Sequence, residues 1–172
     1  MEPVYAILAQ AFRYPAPPQL ERLQSGLADL PSGKAKKSLT DFVDQIRQLS
    51  LGEWEELYTH TLDLSPLVTP YIGFQIWGEG YQRGNFLARL NRAMSDARID
   101  LDGELPDHLV PVLRYLAVTD EPLPDLLEVL QPAIEAMHKA LKKSGPGNPY
   151  LQLLEAAAQA FQSLPATSGE PK

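Results

Sequence analysis

The sequence predicts an all-α protein, a single-domain helical bundle. Over most of the chain, apolar residues recur every three or four positions, which is typical of helices with one buried face. No stretch alternates apolar and β-branched residues at a period of two, so no sheet is expected. Proline and glycine stand between the periodic segments and mark their ends. With 172 residues, 44% of them hydrophobic, we expect one domain over residues 1–164 and a disordered tail over 165–172.

Stripes of apolar side chains predict the first three helices. They are Val4, Ile7, Leu8, Ala11 and Phe12 in the first, Leu20, Leu23, Leu27 and Leu30 in the second, and Leu39, Phe42, Val43, Ile46 and Leu49 in the third. Pro15 and Pro31 end the first two. Positive charge is unfavourable at a helix N-terminus, so the third helix is predicted to begin after Lys37.

The middle of the chain predicts two helices and an irregular connection. The fourth helix covers about residues 52–62, and residues 63–71, with two prolines, form the connection. A long helix then covers about residues 76–97. Its predicted buried face is Trp77, Tyr81, Gly84, Leu87, Leu90, Met94 and Ala97.

Proline positions organise the last three helices. Pro106 is a suitable first helical residue, and the helix that it opens buries Leu109, Val112, Leu113 and Leu116. The next helix runs through Leu126, Leu127, Leu130, Ile134, Met137 and Leu141 and is predicted to be kinked or split at Pro132. Asn148 and Pro149 open the last helix, whose stripe is Tyr150, Leu153, Leu154, Ala157, Ala158 and Phe161.

Composition and charge exclude several classes of function. The chain has no cysteine, so it has neither a disulfide framework nor a thiolate metal site. Its net charge of −7 argues against nucleic-acid binding. No signal peptide and no membrane-spanning run is visible, so we expect a cytoplasmic protein without direct membrane insertion. Residues 53–107 hold ten acidic and four basic residues, which is either a solvated face or a surface for a basic partner.

The sequence offers little catalytic chemistry. His60 with Asp63, and Glu135 with His138, could each give two ligands to zinc, but a third ligand at matching spacing is missing. No serine lies in a nucleophile elbow, and no glycine-rich phosphate loop follows a strand. We therefore predict no enzyme activity, no metal and no cofactor. A nucleotide-dependent enzyme is an alternative that a hydrolysis assay with a His108→Ala control would test.

Aromatic residues next to turns suggest a binding groove instead. Tyr58, Pro70, Tyr71 and Trp77 could line it, although ordinary core packing explains Trp77 equally well. A groove of this kind, ringed by carboxylates, would suit a peptide helix that carries apolar residues and arginines.

Four motifs in the middle third of the chain carry a family resemblance. They are Glu53-Trp54-Glu55-Glu56-Leu57-Tyr58, then Ser65-Pro66-Leu67-Val68-Thr69-Pro70-Tyr71, then Tyr81-Gln82-Arg83-Gly84-Asn85-Phe86-Leu87, and finally Glu104-Leu105-Pro106-Asp107-His108-Leu109. In this order and at these spacings they resemble the NarJ/TorD family of cytoplasmic chaperones for molybdenum-containing oxidoreductases. Arg83-Gly84, followed by Leu87 and Leu90, looks most like the nitrate reductase delta-subunit branch.

The resemblance implies a fold, a partner and a site. It implies a helical bundle of the TorD-like type that binds the N-terminal leader or tail of a catalytic subunit until the molybdopterin cofactor is inserted. Tyr58, Pro70 and Tyr71 match the hydrophobic positions of the leader-binding groove. Pro106, Asp107 and His108 match its polar edge, within the element that begins at Glu104. We expect Asp107 and His108 to face the bound peptide.

Two questions about assembly stay open. A constitutive structural subunit of an oxidoreductase complex is the main alternative function, and it would remain in the purified active enzyme. The chain could be a monomer or a helix-exchanged dimer, and the client enzyme is not identified by the sequence.

Overall fold

A computed structural model describes residues 2–64 and 67–165 of the chain. Within these ranges the protein is all-α, as predicted, with nine helices and no strand. The helices are α1 Pro3–Ala11, α2 Gln19–Asp29, α3 Lys34–Ile46, α4 Leu51–Leu62, α5 Ile72–Trp77, α6 Tyr81–Asp96, α7 Leu109–Val118, α8 Pro124–Ser144 and α9 Tyr150–Phe161. The predicted disordered tail lies outside the described residues apart from Pro165.

Helix α9 lies at the centre of the bundle. It packs against α1, α3 and α8, and all but one of the side chains of its predicted stripe are buried; Ala158 is half-buried. The Tyr5 hydroxyl donates to the Ala160 carbonyl oxygen over 2.9 Å, which joins α1 to α9. The Trp54 indole N–H donates to the Tyr150 hydroxyl over 3.1 Å, which joins α4 to α9. The polar atoms of all three aromatic side chains, Tyr5, Trp54 and Tyr150, therefore have hydrogen-bond partners inside the core.

Helix α3 begins at least four residues earlier than predicted. Its first residue is Lys34, with Gly33 as the N-cap. The ammonium of Lys36 donates to the carbonyl oxygen of Leu30 over 2.7 Å, at the C-terminal end of α2. This lysine therefore neutralises the negative end of the preceding helix, which offsets its unfavourable position in α3.

The predicted long helix over residues 76–97 is wrong, because the structure divides this region into α5 and α6. Gly78 ends α5 with φ at +65°, in the left-handed region where glycine has no steric penalty. The predicted buried face is wrong at its start, where Tyr81 is 84% exposed and Gly84 is exposed. Leu90 and Met94 are buried as predicted, together with Phe86, which was not in the predicted face. Leu87 is only half-buried.

Two further features of the helices concern α4 and α8. Ser50 and Glu53 form a capping box at the start of α4, which ends at Leu62 as predicted. α8 runs unbroken through Pro132. Of the two predicted alternatives at this proline, a kink or a split, the split is therefore wrong. None of the helices in the described ranges has both the length and the apolar character that crossing a bilayer requires.

Candidate functional site

The residues before α7 form a tight turn. The backbone N–H of His108 donates to the carbonyl oxygen of Leu105 over 3.0 Å, with Pro106 at the second position of the turn, where its fixed φ is favoured. The helix itself begins at Leu109, and His108 is its N-cap, accepting the Val110 N–H at ring Nδ1 over 3.1 Å. The predicted helix start at Pro106 is therefore wrong by three residues.

Two backbone hydrogen bonds join this turn to the segment before α5. The Ile72 N–H donates to the Asp107 carbonyl oxygen over 2.8 Å, and the Leu109 N–H donates to the Pro70 carbonyl oxygen over 3.0 Å. They form an isolated antiparallel bridge. Helices α5 and α7 thus start side by side, and the side chains of their N-terminal segments form one cluster.

Asp107 is fully buried at the centre of this cluster. Its carboxylate accepts two hydrogen bonds from Arg83, from Nε over 2.9 Å and from Nη2 over 3.1 Å. It also accepts the backbone N–H of Gly73 over 3.0 Å. The Arg83 guanidinium carbon lies 5.5 Å from the ring centroid of Tyr71 and 5.6 Å from that of Phe74. Both carboxylate oxygens of Asp107 are therefore occupied by groups of the protein itself.

Tyr71 connects the buried cluster to the carboxylate of Glu104 at the protein surface. Its hydroxyl donates to Glu104 Oε2 over 2.8 Å, and its ring meets the ring of His108 edge-on at 5.1 Å. Burial, and secondarily Glu104, raises the pKa of Tyr71, which remains a neutral donor. Burial lowers the pKa of His108, against the opposing charges of Glu104 and Asp107. His108 is thus the neutral tautomer with its proton on Nε2, since Nδ1 accepts a hydrogen bond.

A second aromatic pair lies beside Glu104. The Tyr58 ring meets the Tyr14 ring edge-on at 5.3 Å; Tyr58 is buried, whereas Tyr14 is 52% exposed. Burial, and secondarily the charges of Asp63 and Glu104, raise the pKa of Tyr58 to about 12. Both carboxylates therefore act electrostatically on Tyr58, against which the Tyr14 ring packs.

We name the resulting patch the acid–aromatic surface. It consists of Tyr14, Asp63, Leu64, Tyr71, Glu104 and Leu105, and the buried Tyr58 packs behind Tyr14. Leu64 is 71% exposed and Leu105 47%, each next in the chain to one of the carboxylates. Exposed apolar side chains beside carboxylates can bind an amphipathic peptide that carries both apolar and basic residues.

The structure brings together most of the predicted site residues, but some of them are accessible to solvent and others are buried. Tyr71 and Glu104 lie in the acid–aromatic surface, whereas Tyr58, Pro70 and Pro106 are buried behind it. Asp107 and His108 are also buried. Trp77 lies at the other end of α5, where its ring packs against Phe86 with 5.2 Å between the ring centroids.

Four contributors to the site were not predicted from the sequence: Tyr14, Asp63, Leu64 and Arg83. Tyr14 reaches the site from the segment after α1, and no local motif marks it. Asp63 was considered as a zinc ligand paired with His60 and as one of the ten acidic residues between positions 53 and 107. Arg83 was part of the family resemblance, but its pairing with Asp107 joins residues 24 positions apart.

Metal binding finds no support in this geometry. In the described part of the chain, no three histidine, aspartate or glutamate side chains are grouped so that they could hold a metal ion. The His60–Asp63 and Glu135–His138 pairs therefore gain no further ligand from the fold.

Comparison with known proteins gives no family assignment. Neither the protein-family models nor the curated proteins that we searched match this sequence. The resemblance to the NarJ/TorD family rests on the four motifs alone, each of which places at least one residue in the acid–aromatic surface or directly behind it.

Proposed function

We propose that this protein is a maturation chaperone for a molybdenum-containing oxidoreductase. It binds the N-terminal leader or tail of the catalytic subunit and holds it until the molybdopterin cofactor has been inserted. The four motifs support the family, with the nitrate reductase delta-subunit branch favoured. The observation that carries the proposal is the acid–aromatic surface, which offers apolar side chains and two carboxylates on one patch.

The surface suggests how a leader would bind. The apolar side of a leader helix would lie on Tyr14, Leu64 and Leu105, which are the exposed apolar side chains of the patch. Its arginines would pair with Asp63 and Glu104. Arginine binds a carboxylate through two parallel N–H groups, and such charge-assisted bonds are stronger than neutral ones.

Asp107 has a different role from the one predicted. Its carboxylate is fully buried and engaged by Arg83 and Gly73, so it is not available to a peptide arginine. We assign to it the positioning of Tyr71, because Arg83 holds the Tyr71 ring from behind while Glu104 fixes its hydroxyl. Glu104 takes the peptide-facing role within the same element.

The first test is capture of the client. The tagged protein is purified from the native cells, and the large subunit that comes with it is identified by mass spectrometry. We expect an oxidoreductase catalytic subunit that lacks its cofactor. If the protein instead remains in fixed ratio with the active, cofactor-loaded enzyme, it is a constitutive subunit and the chaperone proposal is wrong.

The second test measures binding to the acid–aromatic surface. The N-terminal peptide of the captured subunit is titrated by calorimetry against wild type and against Asp63→Asn/Glu104→Gln. Hydrogen bonds to charged groups contribute about 1.5–3 kcal/mol each, so we expect affinity to fall by at least roughly tenfold. Glu121→Gln, on an exposed loop outside the surface, is the control and should bind like wild type.

Salt provides an independent check of the same titration. Because screening at 0.15 M salt acts over about 8 Å, association with wild type should slow as ionic strength rises. The double variant should show a weaker dependence. If both proteins bound the peptide with the same affinity and the same salt dependence, Asp63 and Glu104 would not take part in binding.

A further inference from the structure

A second concave surface lies along α4, on a different side of the helix from Trp54 and Tyr58. It is a groove of about 580 Å³, lined by Leu49, Glu53, Glu56, Leu57, His60 and Pro149. Its floor is apolar, because Leu49 and Leu57 are half-buried and pack against the core. Three separate parts of the chain form it: the segment after α3, the helix α4 and the N-terminus of α9.

The rim of the groove is acidic. Glu53 and Glu56 are exposed, and no lysine or arginine lines the groove. Glu53 uses one oxygen, Oε2, to accept the Ser50 N–H over 2.7 Å, which fixes its side chain and leaves Oε1 for another donor. Within the described residues, Glu56 has neither a hydrogen bond nor an ion pair through its side chain. Two carboxylates three positions apart on a helix repel each other, and a cation between them would relieve that repulsion.

The length of the groove limits what can lie in it. From Glu53 to His60 it follows two turns of α4, which corresponds to roughly 10 Å along the helix axis at about 1.5 Å per residue. A helix in an apolar groove is anchored by residues at positions i, i+3 or i+4, and i+7, which cover a similar length. Helix ends and extended segments present fewer apolar side chains over that distance.

We infer that the α4 groove is a docking site for a basic amphipathic helix of a partner protein. Leucine-type side chains of that helix would contact Leu49, Leu57 and Pro149, and its lysines or arginines would pair with Glu53 and Glu56. The charge of the rim selects a basic helix over an acidic or neutral one. This inference does not depend on the function proposed above, because the groove shares no residue with the acid–aromatic surface.

The test uses a synthetic helical peptide as the probe. It has about 18 residues, or roughly five turns, with leucines three and four positions apart and lysines on both sides of them. A second peptide carries glutamate in place of every lysine. Both are labelled with fluorescein, and their binding to the full-length protein is measured by fluorescence anisotropy.

Charge reversal locates the binding site of the probe. Glu56→Lys should weaken binding of the lysine peptide by roughly tenfold or more, because like charges across an interface are strongly unfavourable. Glu128→Lys, an exposed substitution on α8 with the same change in net charge, is the matched control and should change the dissociation constant by less than about twofold. Leu49→Gln, which alters the floor without changing charge, should also weaken binding.

Three results would overturn the inference. They are failure of the lysine peptide to bind wild type, equal weakening by Glu56→Lys and Glu128→Lys, and equal affinity of wild type for the lysine and glutamate peptides. Circular dichroism of each variant shows whether its fold is intact. If Glu56→Lys fails to fold, Glu56→Gln replaces it, with Glu128→Gln as its control.

Discussion

Replacement of Asp107 by asparagine tests the centre of the site most directly. The Asp107 side chain is fully buried and that of Arg83 is only 12% exposed, so water cannot replace the lost interactions. Asparagine can still accept the Gly73 N–H through its oxygen. Its NH₂ group, however, then faces the guanidinium, and two donors cannot bond to each other. The variant therefore keeps a buried arginine without its counter-charge.

The size of the effect follows from the burial of the pair. Removing one partner of a buried ion pair lowers the free energy of unfolding by about 3–5 kcal/mol. For a chain of this size, about 2–4 °C of melting temperature corresponds to each kcal/mol, so Asp107→Asn should lower Tm by roughly 6–20 °C. The measurements are urea denaturation for the free energy of unfolding and a thermal melt followed by circular dichroism.

Two further variants make this experiment decisive. Asp44→Asn breaks an exposed pair with Arg47 on α3 and should cost about 0.5 kcal/mol or less. Asp107→Asn combined with Arg83→Met removes the uncompensated charge, so the double variant should be more stable than Asp107→Asn alone. If Asp107→Asn were no more destabilising than Asp44→Asn, the assignment of Asp107 as the residue that holds the site together would be refuted.

Two further predictions concern the core and the response to pH. Leu90→Ala should destabilise the protein by about 2–5 kcal/mol, because Leu90 is completely buried on α6; a melting temperature within 2 °C of wild type, or about 1 kcal/mol, would contradict its place in the core. His108 has its pKa lowered from 6.5 by burial, so below about pH 6.5 the unfolded chain binds a proton that the folded protein does not. Its contribution to stability should therefore fall with pH from about 6.5 downward until the folded-state pKa is reached, by at most about 1.4 kcal/mol per pH unit. His108→Asn retains a good N-cap residue and should show a shallower loss of stability over the same range, measured by urea denaturation at a series of pH values. Parallel curves for the two proteins would show that His108 titrates normally.

The periodic part of the sequence determined which faces of several helices are buried. Leu109, Val112 and Leu113 are fully buried on α7, as the spacing predicted, even though the helix starts three residues later than expected. Periodicity identifies a buried face because it depends only on side chains that repeat every turn. It does not identify the first residue of a helix, which for α7 is Leu109 and depends on backbone hydrogen bonds to a distant segment.

The site was only partly predictable for the same reason. Tyr58, Tyr71 and Glu104 were identified as candidates, and the fold places them close together. The complete burial of the Asp107 carboxylate, however, depends on its hydrogen bonds with Arg83 and Gly73. These residues lie 24 and 34 positions before it in the chain. A Cβ at position 73 would lie 2.8 Å from Asp107 Oδ2, so glycine is required there for a reason that no local pattern contains. Tyr14 reached the site through the packing of α1, which is likewise invisible in the sequence around it.

The central position of α9 has a consequence for synthesis of the protein. Tyr5 and its acceptor Ala160 are 155 residues apart, and α3 also packs against α9. At a translation rate of about 5–20 residues per second, α1 leaves the ribosome roughly 8–30 s before its partner does. During that interval Leu39, Phe42 and Ile46 on α3 lack the helix that covers them. The nascent chain therefore leaves the apolar face of α3 uncovered until α9 has been synthesised, and during that time the face is available to aggregation or to the chaperones of the cell.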